Sequence, residues 1–120
     1  MILQVHHIQI SIPIGKETEA RAFYGDVLGL KEIPKHDAAA RGGLWFQLAN
    51  AQLHVGVEDG VDRAKTKGHV AYQVRDLGEL KLLLAKNGIE TKPSSLIPGY
   101  DRCECRDPFG NRIEFTQVLG

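Results

Sequence analysis

Neither sign of charge is in excess in this sequence: 15 Lys and Arg residues are matched by 15 Asp and Glu, for a formal net charge of zero. With no net field to draw a polyanion to the surface, nucleic acid and anionic membranes are poor candidates as partners. Long apolar runs are missing too. None approaches the roughly 20 residues that cross a bilayer, and the opening MILQVHH lacks the basic segment, apolar stretch and cleavage site of a secretory signal. A cytoplasmic protein is expected. Cysteine is scarce: Cys103 and Cys105 stand two apart on one expected strand, opposite in face to Glu104, a spacing that suits neither a disulfide framework nor a zinc knuckle. Both are expected as buried, reduced thiols. At 120 residues the chain has material for one folding unit, or for two half-domains too small to stand apart.

What is present is alternation, and it comes twice. In VHHIQIS the residues Ile8, Ile10 and Ile12 share one strand face with His6, while Val5, His7, Gln9 and Ser11 share the other. PIGKETEARAFYGDVLGL then places Ala20, Phe23, Tyr24, Val27 and Leu28 at helical spacing with Gly29 as a stop. LKEI, GLWFQLA and AQLHVGVE alternate as three further strands, with Asn50 near a tight turn, so residues 1–58 read as βαβββ. The polar stretch at 59–67 separates this half from 68–120, where the order returns. GHVAYQV is a strand, and DLGELKLLLAKNG is a helix with Asp76 at its start and Gly88 at its end. IETK makes a short strand, and YDRCECR and NRIEFTQVL are joined by the turn DPFG.

Laid over one another, the halves match His7 with His69 in the first strand and His54 with Glu114 in the last. A lone histidine on a polar strand face is ordinarily a solvated residue. Here three of the five histidines and one glutamate fall at paired positions, on the face opposite the one a helix covers. If the half-sheets curve toward each other, the four side chains converge. Three imidazoles and a carboxylate suffice for a divalent ion, and nitrogen with oxygen donors suits Zn, Ni, Co, Fe or Mn without choosing among them. Open positions on such an ion would serve Lewis acid catalysis. His6 is expected as a ring packed toward the helix side, and His36 as a solvated loop residue.

HHIQISI, RAFYGDVLGLK, GHVAYQV and above all RDPFGNRIEF, a form of the signature DP-x-G-x-x-(I/L)-E, resemble the vicinal oxygen chelate superfamily. That superfamily takes in glyoxalase I, bleomycin-resistance proteins, fosfomycin-resistance thiol transferases, methylmalonyl-CoA epimerase and extradiol dioxygenases. The resemblance covers nearly the whole chain. It implies an α+β fold of two βαβββ modules forming a cupped sheet, often completed across a homodimer. It implies a divalent metal held at the positions of His7, His69 and Glu114, with His54 either a fourth ligand or a base beside the ion. Gln9, Trp45, Gln47, Gln52, Gln73, Arg102 and Glu104 lie along the same polar faces and would line the cup, Trp45 as a wall for a flat or apolar ligand. Gln9 stands where the fosfomycin enzymes have threonine and Glu104 where they have tyrosine.

The activity so implied is that of a glyoxalase-like lyase, isomerase, epimerase or thiol transferase acting on vicinal oxygens of a small molecule. Glu114 would be a ligand at the catalytic centre, and Glu104 or His54 the proton acceptor. The rival expectations are a metal-free protein that sequesters a toxic compound, as bleomycin-resistance members do, and an extradiol-type dioxygenase built on the triad His7, His69 and Glu114.

Overall fold

The computed structural model describes residues 1–35 and 42–120. His36, expected as a solvated loop residue, lies outside the described residues. The chain divides into two compact units, Met1–Val61 and Asp62–Gly120.

The first unit runs β1 (His7–Ile12), α1 (Glu17–Ala20) continuing as a wider coil over Arg21–Val27, β2 (Lys31–Ile33), β3 (Leu44–Gln47) and β4 (Gln52–Val57). Its sheet has the order β1-β4-β3-β2, with β1 and β4 parallel and the other pairs antiparallel. The second unit opens with a 3-10 turn at Arg63–Lys65 and repeats the order: β5 (His69–Gln73), α2 (Leu77–Lys86), β6 (Lys92–Pro93), β7 (Tyr100–Arg106) and β8 (Arg112–Val118). Its sheet is β5-β8-β7-β6, again with the first and last strands parallel. This is the α+β pair of βαβββ modules that the repeat predicts.

Alternation places the core. Ile12, Phe46, Leu53 and Val55 are buried in the first unit, Ile113, Phe115, Cys103 and Cys105 in the second. Both cysteines are free thiols, and burial pushes them up, Cys105 to about 12. The helices show one departure and one agreement. Arg21–Val27 is a π-helical coil where a regular α-helix is expected: Leu28 N–H donates to Phe23 O five residues back, at 2.9 Å. The additional residue in that turn accompanies burial of both Phe23 and Tyr24, whose rings meet edge to face at 4.9 Å. Helix α2 starts and stops as its sequence predicts. The Asp76 carboxylate accepts from Glu79 N–H at 3.0 Å, and Gly88 ends the helix at φ 75°. The short strand expected over 89–92 is instead Lys92–Pro93. Pro93 has no N–H to give a ladder, so this strand stays at the sheet edge beside β7.

His6 is also a correction. Strand pairing begins at His7, so the alternation does not reach back to His6, whose side chain is exposed with Nδ1 3.1 Å from Nδ1 of His7. The DPFG turn is built around Asp107, which accepts from Phe109 N–H and Asn111 N–H at 2.9 and 2.8 Å. Gly110 sits at φ 100°, and a Cβ there would meet the Ala64 backbone nitrogen at 2.9 Å. Glycine is required on both counts. Among the described residues no helix is long and apolar enough to cross a membrane.

Candidate functional site

In the first unit the sheet order puts β4 between β1 and β3, so His54 has a neighbour on either side. Trp45 is its direct cross-strand partner on β3, and the two rings stack at 4.1 Å and 3°. On the other side His7 of β1 stacks at 4.1 Å and 13°. His54 is thereby held between two rings and only 8% exposed. Desolvation first, and then the electrostatic influence of His7, His6 and Lys35, lowers its pKa, which favours the neutral ring. Its Nε2 lies 2.9 Å from Gln52 Oε1. Gln52 in turn donates to Gln47 Oε1 at 3.4 Å, and Gln47 donates to the carbonyls of Leu48 and Ala51. Gln9 is exposed opposite His54, its amide lying over Gly56, where a Cβ would come within 2.7 Å of Nε2.

In the second unit the same positions carry charge. Arg102 grips Glu114 with both ends of its guanidinium, Nε to Oε2 at 3.0 Å and Nη2 to Oε1 at 2.9 Å, and Thr116 Oγ1 donates to Oε2 at 2.6 Å. The Arg102 bond, more than burial opposes, holds the Glu114 carboxyl at about 2. Glu114 is therefore ionised and a weak proton acceptor. Glu104, directly across from it, is bound by Arg112 at 2.6 Å. Gln73 is exposed at the end of β5, in register with Thr116.

His69 completes this group. Its Nδ1 is 3.0 Å from the Lys67 carbonyl, which can only accept, so Nδ1 carries hydrogen. Its Nε2 then faces Glu114 Oε1 at 3.3 Å. In a neutral ring both atoms bear lone pairs, an arrangement satisfied by a proton or a cation between them. Donors about 2.1 Å from one ion and at right angles stand roughly 3 Å apart, so the pair fits an ion in both chemistry and spacing. A ring nitrogen held by a backbone carbonyl is also the usual support for a ligating histidine.

Among the described residues no three His, Cys, Asp or Glu side chains form a metal-holding group. The donors come as two pairs, His7 with His54 and His69 with Glu114, one pair in each unit. An imidazole lone pair lies in the ring plane, so the stacked His7 and His54 cannot both bind one ion as they stand. Sequence reasoning missed Thr116 and Arg112. Each lies two residues from Glu114 on the same strand face, a spacing that could have marked them.

Two parallel-edged βαβββ sheets with polar clusters on their first and last strands define a class, and comparison with known proteins supplies its name. The sequence model of the glyoxalase/bleomycin resistance protein/dioxygenase superfamily matches residues 4–115, and the chain belongs to that superfamily. A glyoxalase family protein from Bacillus anthracis is 43% identical over 98% of this chain and 97% of its own, with a TM-score of 0.91. A fosfomycin resistance protein from Listeria monocytogenes is 20% identical over 99% and 96% of the two chains, with a TM-score of 0.79. An antibiotic binding protein from a Streptomyces species is 19% identical over 98% and 97%, with a TM-score of 0.76. These last two share the fold. No curated protein matches the chain.

Proposed function

We propose that this chain is a metal-dependent enzyme of the superfamily, with His69 and Glu114 among the ligands of a divalent ion (Zn, Ni, Co, Fe or Mn) and a small molecule binding through two neighbouring oxygens. The reaction class is that of a lyase, isomerase, epimerase or thiol transferase. Such an ion, when bound, supplies Lewis acidity that stabilises negative charge on a substrate oxygen. The observation that carries the reading is the facing of His69 Nε2 and Glu114 Oε1 at 3.3 Å, with the carboxyl held at about 2.

The chain's own residues divide the remaining work. Glu114, ionised at any physiological pH, binds and does not exchange protons. His54, neutral and stacked on His7, accepts or returns a proton, a role that stacking favours over that of a metal ligand. Glu104, tied to Arg112, is a weaker candidate for that proton. Gln9 and Arg102 bind substrate, Arg102 by leaving Glu114 for an anionic or carbonyl oxygen. The protein works as a homodimer.

The test is metal analysis of protein purified without added metal or chelator, followed by titration with each ion. Stoichiometric uptake by the native chain and its loss in His69→Ala are the expected results; no uptake of any ion would overturn the reading. In that event a binding protein that sequesters a small compound takes its place. One observation favours that alternative: Arg102 neutralises Glu114 from within the protein.

A further inference from the structure

We propose that Gln47 and Gln52 are positioning residues that act in series to fix His54 as the Nε2–H tautomer, leaving Nδ1 without hydrogen. The role of that atom rests on the reading of His54 given above; the tautomer itself does not depend on it. The series begins at the turn between β3 and β4. The carbonyl oxygens of Leu48 and Ala51 can only accept, and both lie within reach of Gln47 Nε2, at 2.7 and 3.2 Å. That end of the Gln47 amide is therefore its NH2, and Oε1 faces the other way. Gln52, the cross-strand partner of Gln47, meets this oxygen with its own NH2 at 3.4 Å. Its Oε1 is consequently the end presented to His54 Nε2, at 2.9 Å. A carbonyl oxygen has no hydrogen to give, so the hydrogen between them belongs to the ring.

Turning either amide over would set oxygen against oxygen or NH2 against a donor, so a polarity fixed by two backbone carbonyls is passed through two side chains to an imidazole. The ring cannot evade it by tilting. Trp45 and His7 cover its two faces, each at 4.1 Å and within 13° of parallel. An in-plane flip would replace Nε2–H by a carbon at Gln52 Oε1 and lose the bond. The stack sets the plane and the amides set the proton. Gln47, Gln52 and Trp45, expected as ligand-lining residues, are thus engaged with His54. The second unit has no counterpart: Arg106 and Arg112 hold the corresponding cross-strand positions, and Arg112 turns to Glu104.

The experiment is nitrogen-15 NMR of the histidine side chains of the full chain, without metal, at mildly alkaline pH where unperturbed imidazoles are neutral. The native protein is expected to show His54 with a bare Nδ1 and a protonated Nε2. Gln52→Leu is expected to move both resonances toward the averaged values of a ring exchanging between tautomers, and Gln47→Leu to move them less. Gln52→Glu, which keeps an acceptor at Nε2, should restore the native pattern. A native ring protonated at Nδ1 would overturn the proposal, as would unchanged nitrogens in Gln52→Leu with the amide signals of β4 intact. Because the readout needs no ion, failure of metal uptake leaves this result standing, and the reverse holds as well.

Discussion

Where the first unit has His54, the second has Glu114, and the same registers surround them with different chemistry. Trp45 corresponds to Glu104 as direct cross-strand partner, Gln52 to Arg112, and Gly56 to Thr116. One unit orients its buried imidazole with two aromatic faces and a pair of neutral amides. The other orients its carboxylate with two arginine nitrogens and a hydroxyl. Strand pairing decides where the side chain stands in both; the neighbours decide which conditions disturb it. Ion pairs answer to salt, whereas stacking and neutral hydrogen bonds answer weakly to it.

The comparison breaks most visibly if the two donors are exchanged in role. Glu114→Ala is expected to weaken metal binding by more than about 100-fold, beyond what loss of an outer partner usually costs, as followed by calorimetric titration. His54→Ala should leave metal uptake close to native while lowering turnover of a processed substrate by roughly 10²- to 10⁴-fold, the range for loss of a general base. Loss of metal in both variants alike would make His54 a ligand and remove the functional asymmetry between the units.

Acid sharpens the contrast next. The Glu114 carboxyl is lowered from 4.5 to about 2, so its contribution to stability is present above the unfolded value and is lost as pH falls from there toward 2. Arg102→Met removes the main cause of that lowering. Its acid unfolding, followed by circular dichroism, should therefore begin at a higher pH than in the native chain, whereas Gln52→Leu in the first unit should leave the transition in place. An Arg102→Met transition that coincides with the native one would show that the ion pair does not reach global stability. The smallest effect compares the helix starts. Asp76→Ala should cost about 1 kcal/mol in denaturant unfolding, the usual cost of a lost cap. Lys16→Ala should stay within roughly 0.5 kcal/mol, since Lys16 makes no side-chain cap at the start of α1.

The repeat, the strand faces and the superfamily were legible in the sequence because period-two alternation and a turn such as DPFG are local signals. Residues whose roles depend on register were not. Arg102 lies opposite Thr116 and reaches Glu114 diagonally, and the Gln47–Gln52–His54 chain crosses two strands, so neither follows from spacing along one segment. His6 escapes the alternation because strand pairing begins one residue later, at His7. The π-helical coil and the short edge strand were missed for a related reason: each depends on a backbone hydrogen-bond pattern that side-chain periodicity does not report.

The parallel pairing of first and last strands has a consequence for how the chain acquires its structure. In each module β1 or β5 gains its in-sheet partner only when the fourth strand arrives from the far end of that module, after the intervening hairpins have formed. Closure is thus an event of long sequence separation, the kind that slows folding and leaves an unpaired edge open meanwhile. His54 and Glu114 both ride on the closing strand. Folding intermediates with the antiparallel hairpins in place and that last docking incomplete would leave β1, with core residue Ile12 and His7, apart from the strand that carries His54, and β5, with His69, apart from the strand that carries Glu114.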